Sequence, residues 1–135
     1  MTTEEQIKEK YSQFQYLQQQ MEQINEHLQL LNQNVAELDI SINAIKEIGK
    51  TKIDEEILAP VANGIFIKAQ LKDNQKLVVN VGSNVTVEKN PAQVVELLEE
   101  QKKQLAERIV EAEEVIGQIN EQAMKIYQEV EKLSE

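Results

Sequence analysis

The sequence predicts an α+β fold, in which a long antiparallel coiled coil forms within one chain around two central β-hairpins. Three observations carry this expectation. Apolar heptads run through residues 1–50 and again through 91–135, and between them residues 51–90 change to strict alternation and turn residues. The composition agrees: of 135 residues, 41% are apolar but only 4% aromatic and 28% charged, the balance of long helices with a narrow apolar seam.

The first helix is expected over residues 1–50. Ile7, Phe14, Met21, Leu28, Val35 and Ile42 fall seven apart, and Lys10, Leu17, Ile24, Leu31, Leu38 and Ile45 fill the second seam position. Only Lys10 breaks the apolar rule, and alternating steps of three and four sustained this long argue for a coiled coil. Thr2 with Glu5, or Thr3 with Gln6, offers an N-terminal capping box. Gly49 reads as the stop, with Lys46 and Lys50 suiting the negative end of the helix.

Residues 51–90 change period. Ile57 to Val61 reads as a first strand, limited in its pairing by Pro60. Ile65, Ile67, Ala69 and Leu71 alternate with Phe66, Lys68 and Gln70; Leu77, Val79 and Val81 alternate with Val78 and Asn80; Val85 and Val87 flank Thr86. Asn63-Gly64, Asp73-Asn74 and Gly82-Ser83-Asn84 mark the turns, giving two hairpins. Four short strands with one Phe cannot close a core, and their apolar faces and edges need cover. Pairing with other subunits supplies it, so an oligomer held through the hairpins is expected.

The second helix is expected over 91–135, with Asn90 as N-cap and Pro91 at the first helical position. Its seam is Val95, Leu98, Lys102, Leu105, Ile109, Ala112, Ile116, Ile119, Ala123, Ile126, Val130 and Leu133, again with one lysine. Antiparallel pairing sets Ile45 near Val95 and Ile24 near Ile116. Residues 1–23 and 117–135 then form the open end, which holds four of the five aromatics: Tyr11, Phe14, Tyr16 and Tyr127. Gly117 weakens the helix there by about 1 kcal/mol relative to Ala. Exposed apolar area at such a tip is a contact surface for an apolar partner.

Several function classes are excluded on composition. The net charge of −10 disfavours nucleic acid and anionic lipid, and no basic stripe runs along either helix. No cysteine is present and a single histidine, His27, reads as a solvated side chain beside the seam. Neither a bilayer-length apolar run nor a signal peptide is read, so a cytoplasmic protein is expected. Glu99-Glu100 and Glu113-Glu114 match no calcium loop and read as the wet face of the coil. With no catalytic constellation and no phosphate loop, the expectation is no enzyme, no metal and no cofactor.

Helix, two hairpins, helix at this length resembles the prefoldin subunits, in particular the α class, which carries two hairpins. The residues that carry the resemblance are Ile57-Leu58-Ala59-Pro60-Val61, Asn63-Gly64-Ile65-Phe66-Ile67-Lys68-Ala69, Lys76-Leu77-Val78-Val79-Asn80-Val81-Gly82 and Val85-Thr86-Val87-Glu88-Lys89. The likeness spans the chain; its heptads are generic and the insert is specific. It implies one prefoldin-like domain over 1–135, whose hairpins join those of other subunits in a β-barrel platform. It further implies a hexamer of two α and four β subunits. Ile57, Val61, Ile65, Phe66, Ile67, Leu77, Val79, Val81, Val85 and Val87 are the candidate oligomerisation residues.

The resemblance implies an ATP-independent holdase that captures unfolded clients at coiled-coil tips and delivers them to a group II chaperonin. Ile7, Tyr11, Phe14, Leu17, Met124, Tyr127, Val130 and Leu133 are then the candidate client contacts, being apolar and at the open end. The alternatives are a structural coiled-coil adaptor, selective for folded partners, and a filament-forming prefoldin-like protein.

Overall fold

The structure is a computed structural model, and it describes residues 2–134. In chain order the elements are α1 (Thr3–Lys50), β1 (Glu56–Ala62), β2 (Ile65–Gln70), β3 (Leu77–Gly82), β4 (Val85–Lys89) and α2 (Pro91–Ser134). This is the predicted order, and every strand falls within two residues of its expected bounds. The chain divides into two compact units, one of residues 1–35 with 104–135 and one of residues 36–103.

In the first unit α1 and α2 run antiparallel. Lys10 forms an ion pair with Glu129. Further along, Phe14, Leu17 and Met21 share a groove with Ile119 and Ala123, and Ile24 shares one with Ala112 and Val115. The last of these pairings lies within a turn of the expected meeting of Ile24 with Ile116. Leu17, Leu31, Ala112 and Ile119 are buried, and the remaining seam positions of this unit are half-buried. Two helices alone cannot enclose a seam completely, which is why none of these side chains is sealed from solvent on every side.

The helix start is set locally. The Glu5 N–H donates to Thr2 Oγ1 at 3.2 Å and the Thr2 N–H donates to Glu5 Oε2 at 3.3 Å. This reciprocal pair satisfies donors that a helix N-terminus otherwise leaves open. Thr2 is therefore the cap, the first of the two expected alternatives.

In the second unit, Ile42 and Val94 are buried between the helices, and Asp39 pairs with Lys102 at 2.7 Å. Asn90 caps α2: the Gln93 N–H donates to Asn90 Oδ1 at 2.8 Å, and the Asn90 N–H donates to Gln93 Oε1 at 3.0 Å. Pro91 follows, where an N–H is not required. Gly49 departs from expectation. It is helical rather than a stop, and α1 runs on to Lys50. A Cβ on residue 49 would lie 3.2 Å from Pro91 Cβ, so the glycine serves a close approach of the two helices. The helix is closed instead by Thr51, whose hydroxyl donates to the Glu47 carbonyl at 2.8 Å.

The strands form two separate two-stranded antiparallel sheets, β1–β2 and β3–β4. In the first, Ile57 pairs with Ala69, Ala59 with Ile67 and Pro60 with Phe66; in the second, Val79 pairs with Val87 and Asn80 with Thr86. Gly64 takes a φ of 74° in the first turn, a conformation glycine adopts without strain. In the second turn, Ser83 and Asn84 both have positive φ, 49° and 61°, the mirror-image turn that matches strand twist. Between the hairpins, Asp73 Oδ1 accepts from the N–H groups of Gln75 and Lys76, and these bonds hold its carboxyl below the ordinary value. The Asn74 amide donates to the Thr51 carbonyl at 2.8 Å, tying this linker to the end of α1.

Candidate functional site

Isolated apolar side chains such as Ile40 and Val110 are exposed along the helices, but among the described residues uncovered apolar side chains gather on two surfaces, one from each unit. In the first unit it lies at the end that carries the first turns of α1 and the last turns of α2. Phe14, Asn120, Ala123, Met124 and Tyr127 line an open groove along one flank of the helix pair. It continues past Phe14 and Asn120 to Gln18, Met21, Ile119 and the acidic Glu22. Tyr11 stands two helical turns before Gln18, hence on the same flank. Tyr11 is 62% exposed, Met124 59% and Tyr127 57%. The residues lining the groove from Phe14 to Tyr127 carry no charge.

The other flank differs. There Tyr16, Leu17 and Ile126 share a groove with Glu9, Lys10, Lys125 and Glu129, so ionic side chains frame the apolar ones. The Tyr16 hydroxyl accepts from the Gln20 amide at 3.1 Å. Farther along the same unit His27 is exposed and shares a groove with Arg108 and Glu111.

Of the eight tip residues read from the sequence, Tyr11, Met124 and Tyr127 are exposed. Phe14 lies half-buried at the floor of the groove, as do Ile7, Val130 and Leu133 in the seam. Leu17 is buried, 8% exposed, so its apolar surface is used within the chain. Tyr16 is as exposed as Tyr11 and was not among the eight. The sequence signal for it was present: it falls two residues past the seam at Phe14, on the outer surface of the heptad.

The second surface belongs to the hairpins. Residues directly opposite in a ladder share a face. Ile57, Ala59, Ile67 and Ala69 therefore make one face of β1–β2, while Leu58, Pro60 and Phe66 lie on the other. The first face is apolar, and the second is apolar at Leu58, Pro60 and Phe66 but carries Lys68 opposite Leu58 and Glu56 opposite Gln70. In β3–β4, Leu77, Val79 and Val87 share a face, and Val78 stands opposite Glu88 on the reverse. Ile57, Leu77 and Val79 are half-buried, whereas Val61, Ile65, Phe66, Ile67, Val81, Val85 and Val87 are exposed. Leu58 and Val78 are exposed too and were missed, because alternation alone assigns them to the solvent side of a one-sided sheet.

Among the described residues, no group of three or more His, Cys, Asp or Glu is placed to hold a metal ion, and no helix is long and apolar enough to cross a membrane. What the geometry presents is a coiled-coil subunit with open hairpins at one part of the chain and an apolar groove at another. Comparison with known proteins gives this class its family. The prefoldin subunit family model matches residues 17–135. A prefoldin subunit alpha of Thermofilum pendens is 34% identical over 121 residues, covering 87% of this chain and 92% of its own. That of Methanococcoides burtonii is 26% identical, covering 93% of this chain and 91% of its own. The filamentous prefoldin of Methanocaldococcus jannaschii, solved by cryo-EM, superposes with a TM-score of 0.77 at 20% identity, over 86% of this chain and 96% of that one. The chain belongs to the prefoldin family, in its α class. It is a prefoldin chaperone subunit, built to assemble with other prefoldin subunits.

Proposed function

We propose that this chain is the α-type subunit of an ATP-independent holdase, which captures unfolded proteins at the helix ends and hands them to a group II chaperonin. The observation that carries this reading is the uncharged groove from Phe14 to Tyr127, with Tyr11, Met124 and Tyr127 standing out into solvent. Unfolded chains share exposed apolar surface and little else, so a groove without charge or fixed hydrogen-bond partners suits many of them. Each contact is weak, and several arms acting together supply the avidity. The net charge of −10 keeps such an apolar-tipped assembly soluble.

Assembly runs through the hairpins, with two α and four β subunits completing an intersubunit β-barrel platform. Ile57, Val61, Ile65, Phe66, Ile67, Leu77, Val79, Val81, Val85 and Val87 supply its apolar faces, and 1–135 acts as one prefoldin-like domain in the cytoplasm. Isolated two-stranded hairpins are marginal in water, and β1–β2 has one apolar face and exposes Leu58 and Phe66 on the other, which supports completion by neighbours. The filamentous neighbour favours a second reading, a homo-oligomer or filament built through the same strands. Native mass with and without a β-type subunit separates the two.

The client reading is tested by the double variant Tyr11→Ser, Tyr127→Ser in the reconstituted assembly. Suppression of aggregation of several chemically unfolded clients is expected to fall, with helix content and native mass unchanged. Undiminished suppression by that variant would overturn it.

A further inference from the structure

The sequence holds three methionines. Met1 lies outside the described residues, and Met21 is half-buried in the seam between α1 and α2. Met124 is different: it is 59% exposed and lies in the groove with Phe14 and Tyr127. A long helical side chain lies back over the preceding turn, here over Asn120. One turn further back stands Gly117, where even a Cβ would meet nothing within 4 Å. The helix itself therefore offers no side chain at that position to shield the thioether from small solutes.

We propose that Met124 is a peroxide-responsive modification site, whose conversion to the sulfoxide lowers capture of unfolded protein. The proposal rests on the reading of the groove as the client contact. The co-reactant is hydrogen peroxide. The thioether sulfur attacks one peroxide oxygen, the O–O bond breaks, and the S–O bond forms. The second oxygen leaves as water after proton transfer, so sulfur loses two electrons and peroxide gains them. An apolar, polarisable side chain becomes a polar one in a groove it shares with Phe14 and Tyr127. Loss of sulfur–aromatic and apolar contact is expected to weaken capture roughly two- to tenfold per arm. Methionine sulfoxide reductases reverse the change, so capture lost on oxidation is recoverable.

The test treats the reconstituted assembly with graded hydrogen peroxide, follows each methionine by peptide mass, and reads suppression of client aggregation. Met124 is expected to gain one oxygen well before Met21, with suppression falling in step and returning after reductase treatment. The ratio of treated to untreated suppression is expected to stay at unity in Met124→Leu, whatever its starting capacity, and to fall as in the parent in Met21→Leu. Oxidation of Met124 no faster than of Met21 would overturn the proposal. So would full oxidation of Met124 without loss of suppression. In that case a defect in Tyr127→Ser leaves the groove reading standing, and no defect overturns both.

Discussion

Leu17, Leu31, Ala112 and Ile119 are buried by the chain's own helices, whereas Leu58, Val61, Ile65, Phe66, Ile67 and Val78 on the hairpins lie more than half exposed. Both regions are equally regular in sequence. The difference is geometric. A heptad seam has a matching seam opposite it within the same polypeptide, reached by a simple reversal of direction. A two-stranded hairpin has two faces and two edges, and its own partner strand covers only one edge of each strand. Regularity of pattern therefore marks where apolar surface will be covered, while topology decides whether the covering partner lies in the same chain.

The sharpest way to break this comparison is to place a charge on its hairpin side. Ile67→Asp or Val79→Asp is expected to abolish assembly, because each puts an unpaired carboxylate on the face that other subunits would cover. Loss of the oligomer in native mass, with helix content retained, is the expected result. An intact oligomer would show that these faces meet no partner.

Truncation within the seam comes next. Ile42 is 3% exposed, and Ile42→Ala is expected to cost about 2–5 kcal/mol of stability. Thermal unfolding followed by circular dichroism checks it. Leu58→Ala, on an exposed strand position, is expected to leave the unassembled chain within about 0.5 kcal/mol of the parent. Equal losses from the two changes would erase the contrast between a self-covered and a partner-covered region.

How much of this was legible beforehand follows the same division. The twenty-four expected seam positions, including Lys10 and Lys102, came from counting sevens and are buried or half-buried, because a helix pair repeats its environment every two turns. At the start of α2, however, Val94 is buried and the expected Val95 only half-buried. The cap residues Thr2 and Asn90 were legible for a local reason: their bonds reach only three residues ahead. Contacts between distant residues were legible only to the level of register: pairing Ile45 with Val95 and Ile24 with Ile116 brings Lys10 beside residue 130 and Lys102 beside residue 38. Which acid each lysine meets, Glu129 or Asp39, is fixed by the flank each side chain takes. Gly49 was misread as a stop because glycine after a helix and glycine against a neighbouring helix look alike until Pro91 is placed. At the groove, the aromatic enrichment was visible, but which flank each residue occupies was not. Tyr16 and Tyr127 fall on different sides.

The two helical glycines sharpen that point with a smaller effect. At Gly117 a Cβ meets nothing within 4 Å, so Gly117→Ala is expected to stabilise the chain by up to about 1 kcal/mol through helix propensity alone. At Gly49 the same propensity gain is opposed by the 3.2 Å approach to Pro91, so Gly49→Ala is expected to gain less or to lose stability. Chemical denaturation of the two variants side by side checks the ordering, and equal gains would mean that the approach of Pro91 to Gly49 is not tight in solution.

The smallest expected effect concerns the lysine that interrupts the second seam. The hydrogen bond to Asp39, and then its charge, raise the Lys102 pKa above the ordinary lysine value. A group whose folded pKa is raised contributes stability that is fully present below its unfolded pKa and is lost as pH rises through the folded value. The contribution is thus complete at neutral pH and disappears only above about pH 10.4, the ordinary lysine value. Asp39→Asn removes the carboxylate, so the difference in thermal midpoint between parent and variant is expected to be constant around neutrality and to shrink toward zero in strong alkali. Both side chains are solvent-accessible, so added salt is expected to shrink it as well. A difference that persists in alkali would mean that Asp39 supports the helix pair by packing or by another hydrogen bond, rather than through the charge on Lys102.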